Sequence, residues 1–184
     1  MLKKIVITGA PGTGKTVVIR AIEKLGYPCY HEIIRDMTAA AKEKGTAAKQ
    51  VTNPLIFVDD PLEFNTKLLR GRESHFDISL KSKDPICFFD RGMPDVLAYM
   101  HYFKQEYPKA FWTTCVQKRY DRIFIMPPWE AIYTADNERL ENFKEAEALH
   151  LYLMDTYQSL GYRPEIVPKV SIAERVDFIL KNTI

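Results

Sequence analysis

Gly9-Ala10-Pro11-Gly12-Thr13-Gly14-Lys15-Thr16 is the stretch whose reading decides the fold. It fits G-x-x-x-x-G-K-[ST], and it joins an apolar run, Ile5-Val6-Ile7-Thr8, to a helical pattern that continues towards Leu25. Glycines at such a turn let the backbone bring successive N–H groups close to anionic oxygens. The helix N-terminus behind them adds partial positive charge at the same place. Lys15 is then placed for the β- and γ-phosphates of a nucleotide, and the Thr16 hydroxyl for one coordination position on Mg²⁺. Gly9, Ala10, Pro11, Gly12, Thr13 and Gly14 supply the surrounding backbone. The motif implies ATP, or another nucleoside triphosphate, bound with Mg²⁺.

Outward from the loop, short apolar runs alternate with helical patterns. Gly26 caps the first helix, a second strand covers Cys29 to Ile34, and a short helix follows to about Lys44. The stretch 45–60, with Pro54, shows no period and reads as an irregular excursion. Asp60-Pro61-Leu62-Glu63 carries the signals of a helix start, and that helix runs to about Leu80. Pro85-Ile86-Cys87-Phe88-Phe89-Asp90 is a continuous apolar run closed by an acid, as suits a strand covered on both faces. Pro94 opens a helix with Val96, Leu97, Met100 and Phe103 on one side, and Arg122-Ile123-Phe124-Ile125-Met126 is a fourth strand.

Beyond Pro127-Pro128, Thr134 is placed to cap a long helix with acidic Asp136 and Glu138 in its first turn. The stripe of that helix is Leu140, Phe143, Glu147, His150, Met154 and Tyr157, and it ends at Gly161. Glu165-Ile166-Val167 is a fifth strand, and Ser171 with Glu174 forms a capping box for the last helix. Strands separated by helices imply a parallel sheet wrapped on both faces. The expected class is α/β: a three-layer P-loop NTPase fold with five parallel strands and a helical lid at about 127–160. With no composition break or repeat, residues 1–184 read as one domain.

The whole chain sets few further limits. Its 184 residues, 46% apolar with a net charge of +2, fit a soluble globular domain and give no concentrated basic face for nucleic acid. No apolar stretch approaches the roughly 20 residues that span a bilayer. Cys29, Cys87 and Cys115 are too far apart for a metal motif and read as free thiols of a cytoplasmic protein. Oligomeric state is not written in the sequence.

Three large classes use such a loop. GTPases also carry N-K-x-D and D-x-x-G, and neither occurs here. Hydrolytic ATPases close an apolar strand with Asp-Glu, whereas this chain closes it with Asp90-Arg91. The sequence resembles the third class, small-molecule and nucleotide kinases, in its loop, in Asp90-Arg91 and in an arginine-bearing helical region before the last strand. More closely, it is similar to a group of P-loop proteins labelled AAA-type ATPases. That group is related to nicotinamide riboside kinases, and some animal members are described as GTP-binding. The stretches carrying this likeness are Phe88-Phe89-Asp90-Arg91-Gly92-Met93-Pro94-Asp95, Pro127-Pro128-Trp129-Glu130, Asp136-x-Glu138-Arg139 and Val167-Pro168-Lys169.

Several residues are candidates for chemistry. Asp90, closing a strand beside the loop, can hold Mg²⁺ through a hard carboxylate oxygen, with a helix N-terminal acid as the plainer reading. Arg91 can meet an acceptor or the γ-phosphate, or brace Asp90 or Glu32. The resemblance to kinases implies that Glu32 receives or positions the acceptor hydroxyl; the plainer reading pairs it with Arg35. Arg139 implies, by the same likeness, a lid arginine over the phosphates, or else a solvated first-turn residue. Pro168 and Lys169 follow the last strand, where kinases of this kind place the base. Trp129 and Tyr133 read first as lid packing, with stacking on a base or acceptor ring as the other use. Arg70, Arg72 and His75 read as a solvated helix face, although they could grip an anionic acceptor. The four histidines form no ligand spacing.

The expectation is an ATP/Mg²⁺ kinase of a small metabolite, nucleoside or nucleotide, in which Lys15, Glu32, Asp90, Arg91 and Arg139 act on the transfer. The alternative is a nucleotide-binding switch or slow NTPase that acts through a protein or membrane partner.

Overall fold

A computed structural model of the chain describes residues 2–34, 60–132 and 143–183. Within them, strand β1 (Lys3–Gly9) leads through the glycine loop into helix α1 (Lys15–Lys24). Then come β2 (Cys29–Tyr30), α2 (Pro61–Ser79), β3 (Ile86–Asp90), α3 (Met93–Tyr102) and α4 (Lys109–Gln117). Strand β4 (Arg122–Met126), a 3-10 turn (Glu130–Ile132), α5 (Phe143–Ser159), β5 (Glu165–Ile166) and α6 (Ile172–Thr183) complete the order.

The five strands form one parallel sheet in the order β2-β3-β1-β4-β5. Alternation along the strands builds two cores. Val6, Cys87, Phe89, Ile123 and Ile125 face the side covered by α2, α3, α4 and α5. Ile5, Ile7, Phe88, Phe124 and Met126 face α1 and α6. The central strands are apolar on both faces because both are covered. The three-layer α/β class therefore holds.

The start of α2 is as the sequence implies, with the Asp60 carboxylate accepting from Glu63 N at 2.9 Å. So is the start of α6, where Glu174 and Ser171 bond reciprocally. Three readings change. β2 ends at Tyr30, and Ile33 and Ile34 lie in a helical turn: as an edge strand it pairs only with Phe88 and Phe89, and β-branched content alone did not extend the ladder. Helix α4 was not foreseen, since Lys-Ala-Phe-Trp-Thr-Thr-Cys-Val-Gln is rich in strand-favouring types; burial of Phe111 and Cys115, four apart, makes it helical. The buried stripe of α5 is Ala146, Leu149, Leu153 and Tyr157, which leaves Glu147 exposed. The expected helix to Lys44, the 45–60 excursion, and Thr134 to Leu140 lie outside the described residues, apart from Asp60 itself.

Candidate functional site

The loop between β1 and α1 takes backbone conformations that side chains resist. Gly12 and Gly14 have φ of 79° and 83°, in the left-handed region. Gly9 has φ 147°, and a Cβ there would stand 2.4 Å from the Met126 carbonyl oxygen on β4. Glycine thus lets β1 lie close to β4 as the chain turns. The Thr13 hydroxyl donates to the Ala10 carbonyl at 2.9 Å and ties the arch across.

Lys15 is buried beneath this arch, and its Nζ donates to the Ala10 carbonyl at 2.8 Å. Burial first, and the nearby Arg91 guanidinium second, bring its pKa down to about 7, against the opposing pull of Asp90, Glu32 and Asp95. An ammonium in that position is poised to gain from an arriving polyanion.

Beside the loop lies a buried cluster of charges drawn from four elements. Glu32, just past β2, meets Arg72 of α2 at 3.0 Å and Arg91 Nε at 2.5 Å. Arg91 also bonds Asp95 of α3 at 3.0 Å, and Arg72 donates to the Gly92 carbonyl at 3.0 Å. Asp95 is fully buried and accepts from Thr8 of β1, from Tyr157 of α5 at 2.6 Å and from Gly92 N at 3.0 Å. Burial alone would raise the Glu32 and Asp95 pKa values, but the arginines facing them hold both below the ordinary carboxylate range. Arg91 sits at φ 70° with its guanidinium 5.2 Å from the Tyr99 ring centre, a non-glycine left-handed conformation of the kind found at functional sites.

The candidate residues fall into three groups. Lys15, Glu32, Asp90 and Arg91 gather at the carboxyl ends of β1, β2 and β3. Asp90 is buried in register with Ile7, and its charge acts on Lys15. Pro168 and Lys169 lie beyond the end of β5, exposed. Arg35, Tyr133, Asp136, Glu138 and Arg139 lie outside the described residues. Of the bracing roles open to Arg91, the structure has the one with Glu32 and adds Asp95.

Arg72 corrects a reading. It is 4% exposed and paired with Glu32, not part of a solvated face. The spacing of Asn65, Leu68, Leu69, Arg72 and Phe76 on the buried face of α2 carried that signal. Arg70 is exposed, and His75 packs its ring 5.4 Å from Tyr30. Asp95, Thr8, Tyr157 and Arg175 were not singled out. Asp95 alone had a local sign, four residues beyond Arg91 at a helix start.

The donor set next to the loop suits Mg²⁺. One hydroxyl (Thr16) and one buried carboxylate (Asp90) leave the remaining positions to phosphate oxygens and water, as Mg²⁺ prefers. Among the described residues no group of three or more His, Cys, Asp or Glu could hold a metal by itself.

A parallel sheet with a glycine loop and lysine between β1 and α1, and an acid closing the neighbouring strand, defines the class: a P-loop α/β domain. The chain belongs to an AAA-domain family, whose profile matches residues 4–175. No curated protein matches it in sequence. Among solved structures it is similar to the NadR protein in complex with NR, with TM-score 0.74 at 18% identity, covering 98% of this chain and 51% of that one. It is also similar to thymidylate kinase from Ehrlichia chaffeensis (TM-score 0.65, 15% identity, 98% of both chains). A third is deoxyadenosine kinase from M. mycoides with bound dATP (TM-score 0.62, 14% identity, 97% of this chain and 98% of that one). The chain thus spans about half the length of the NadR protein. No helix among the described residues is long and apolar enough to cross a membrane.

Proposed function

We propose that this protein binds ATP, or another nucleoside triphosphate, with Mg²⁺ and transfers the γ-phosphoryl group to a small metabolite, nucleoside or nucleotide. The observation that carries this reading is the placement of Glu32. Two arginines keep it an anion although its side chain is only 12% exposed, just past β2, and its charge acts on Lys15. Hydrolytic ATPases place their water-polarising acid directly after the strand-closing Asp, where this chain has Arg91, and the acid here lies just past β2 instead.

In this reading the backbone of Gly9 to Thr16 cradles the phosphates and Lys15 spans the β- and γ-groups. Thr16 and Asp90 hold the cation, which when bound neutralises charge on the phosphate oxygens. The acceptor hydroxyl oxygen attacks the γ-phosphorus as the bridging bond to the β-phosphate breaks, and the nucleoside diphosphate leaves. Glu32 accepts the hydrogen bond of that hydroxyl and receives its proton late, since transfer is loose and needs little prior deprotonation. Arg91 links Glu32 to Asp95 and keeps positive charge near the transferred group. Arg139 and the Pro168-Lys169 loop remain the proposed lid and base contacts. The whole acts as one domain, in a reducing cytoplasm where Cys29, Cys87 and Cys115 stay free.

The test is incubation with labelled ATP, Mg²⁺ and a panel of nucleosides, nucleotides and small hydroxyl metabolites. One acceptor class should become labelled, and Lys15→Ala should abolish the labelling. A panel that stays unlabelled while ATP is slowly hydrolysed would overturn the kinase reading.

A further inference from the structure

Asp95 and Tyr157 make hydrogen bonds that the phosphoryl-transfer reading leaves without a task. The Asp95 carboxylate lies at the start of α3, has no exposed surface, and is met from four sides. Its Oδ1 accepts from the Thr8 hydroxyl near the end of β1 and from Arg91 Nη1 at 3.0 Å. Its Oδ2 accepts from the Tyr157 hydroxyl on α5 at 2.6 Å and from Gly92 N at 3.0 Å. Each oxygen thus has two donors, which fills the carboxylate. Tyr157 is itself fully buried, and a Cβ on Gly92 would stand 2.6 Å from its hydroxyl oxygen. The phenol is therefore pressed against the Arg91-Gly92 turn.

The same turn fixes which edge of Arg91 is left open. Arg91 Nε meets Glu32 and Nη1 meets Asp95, so Nη2 is the nitrogen with no partner among the described residues. Unlike Arg72 Nε and Arg175 Nε, it is not sealed from solvent. A purely structural role explains this poorly. Well-packed apolar side chains of similar volume often hold a core as well as a buried ion pair does. A brace also has no need of a residue at φ 70°, where any residue but glycine is strained. Strain and a filled carboxylate together hold one guanidinium in one orientation, with one edge free.

We propose that Asp95 is a positioning residue for Arg91, itself aimed by Tyr157 from α5 and Thr8 from β1, so that the free Nη2 edge is offered to the phosphoryl group in transfer. This rests on the transfer reading above and adds to it the residues that aim its arginine. With no exposed surface, Asp95 and Tyr157 touch neither nucleotide nor acceptor; they act through Arg91. The bond from Tyr157 also makes that aim depend on where α5 stands against α3.

Two measurements on the full-length chain test this. With ATP, Mg²⁺ and the acceptor found by the panel, Tyr157→Phe should lower kcat about tenfold, the scale of one buried hydrogen bond, and leave KM for ATP within about twofold. Tyr162→Phe is the control: its ring stands 5.6 Å from that of Tyr157, and its hydroxyl accepts from Tyr120 N, away from Arg91. It should cost stability yet leave kcat within about twofold. Equal losses of kcat in the two variants, or a Tyr157→Phe effect confined to KM, would overturn the proposal. The second measurement, nuclear magnetic resonance, needs no acceptor. In protein carrying isotope-labelled arginine, with the Arg91 signals assigned by Arg91→Lys, a held guanidinium gives separate Nη1 and Nη2 resonances in the cold. These should shift or merge in Tyr157→Phe and stay in place in Tyr162→Phe. An Arg91 spectrum untouched by Tyr157→Phe would overturn the proposal whatever the kinetics show. If no acceptor is phosphorylated the transfer reading falls, while the spectrum still decides whether Asp95 and Tyr157 set the guanidinium. Should Tyr157→Phe fail to fold, Thr8→Val, which removes the hydroxyl donor on the other Asp95 oxygen, takes its place with the same expectations.

Discussion

The phosphate loop and the charged cluster beside it are both built around buried charge, but in opposite ways. The loop is eight consecutive residues whose main work is done by backbone, with glycines at φ of 79° and 83° and one lysine. The cluster is made of side chains from the end of β2, from α2, from the end of β3 and from α3, joined only by folding. The loop keeps its lysine underpaired, with a pKa of about 7, so that a ligand can complete it. The cluster completes itself, each carboxylate meeting a guanidinium. The contrast suggests that the loop gives up stability for binding, while the cluster holds an acceptor-side acid still.

The sharpest way to break this contrast is at Asp95. Asp95→Asn keeps the shape but removes the charge that faces Arg91, and it weakens the acceptor for Tyr157 and Thr8. Removing one partner of a buried ion pair costs about 3–5 kcal/mol. Urea unfolding should show a loss of that order. A loss under about 1 kcal/mol would mean that the cluster is incidental to the fold.

Next in size is the ligand-induced stability gain, which Lys15→Ala should remove. A ligand at 100 times its dissociation constant stabilises the native state by about 2.7 kcal/mol. The wild-type protein should show that gain with ATP and Mg²⁺ in a thermal-shift measurement, and Lys15→Ala should show none. An unchanged shift in the variant would take phosphate binding away from the loop.

The same contrast explains what the sequence made legible. The loop could be read because its parts are adjacent and its demands are conformational: glycine where φ is positive, lysine at the helix start. Asp90 could be read because an acid closes an apolar run. Glu32 and Arg91 were visible as candidates and as a possible pair, yet Arg72 and Asp95 beside them were not. Helix spacing pairs Glu32 with Arg35, whereas the fold brings in Arg72, forty positions away. That contact depends on α2 crossing over the end of β2, a tertiary fact no local pattern carries. Arg175 and Thr13 are farther apart still, and only the sheet order brings α6 against α1 and the loop. Helix α4 was missed for a related reason, since core burial outweighed the strand preference of its residues.

A smaller effect is expected from Gly14→Ala, which puts a Cβ on a residue at φ 83°. The left-handed conformation costs a non-glycine residue roughly 1–2 kcal/mol. The added methyl also meets Arg175 Nη1, the movable end of a long side chain, so the steric part should be modest. Denaturation should therefore show a loss of roughly 1–2 kcal/mol, well short of the Asp95 effect. A loss as large as that of Asp95→Asn would mean that the loop, like the cluster, is a support of the fold.

The smallest effect is the one that most directly shows the loop's underpaired lysine. The Lys15 pKa is about 7 in the folded chain and 10.5 as the ordinary value, so between those pH values the unfolded state holds more protons than the native state. Stability must then rise with pH across that window, and the cost of burying the ammonium is present in full below pH 7. Near pH 7 half a proton separates the two states at this site, which gives a slope of about 0.7 kcal/mol per pH unit. Other groups titrate as well, so the quantity to measure is the difference between wild-type and Lys15→Met unfolding curves at pH 6, 7 and 8. Lys15→Met should be the more stable protein at pH 6, and its advantage should shrink as pH rises. Saturating nucleotide should abolish the wild-type slope, because a triphosphate keeps the ammonium charged throughout. Parallel curves without ligand would mean that Lys15 is as well paired as the arginines beside it, and the contrast between loop and cluster would disappear.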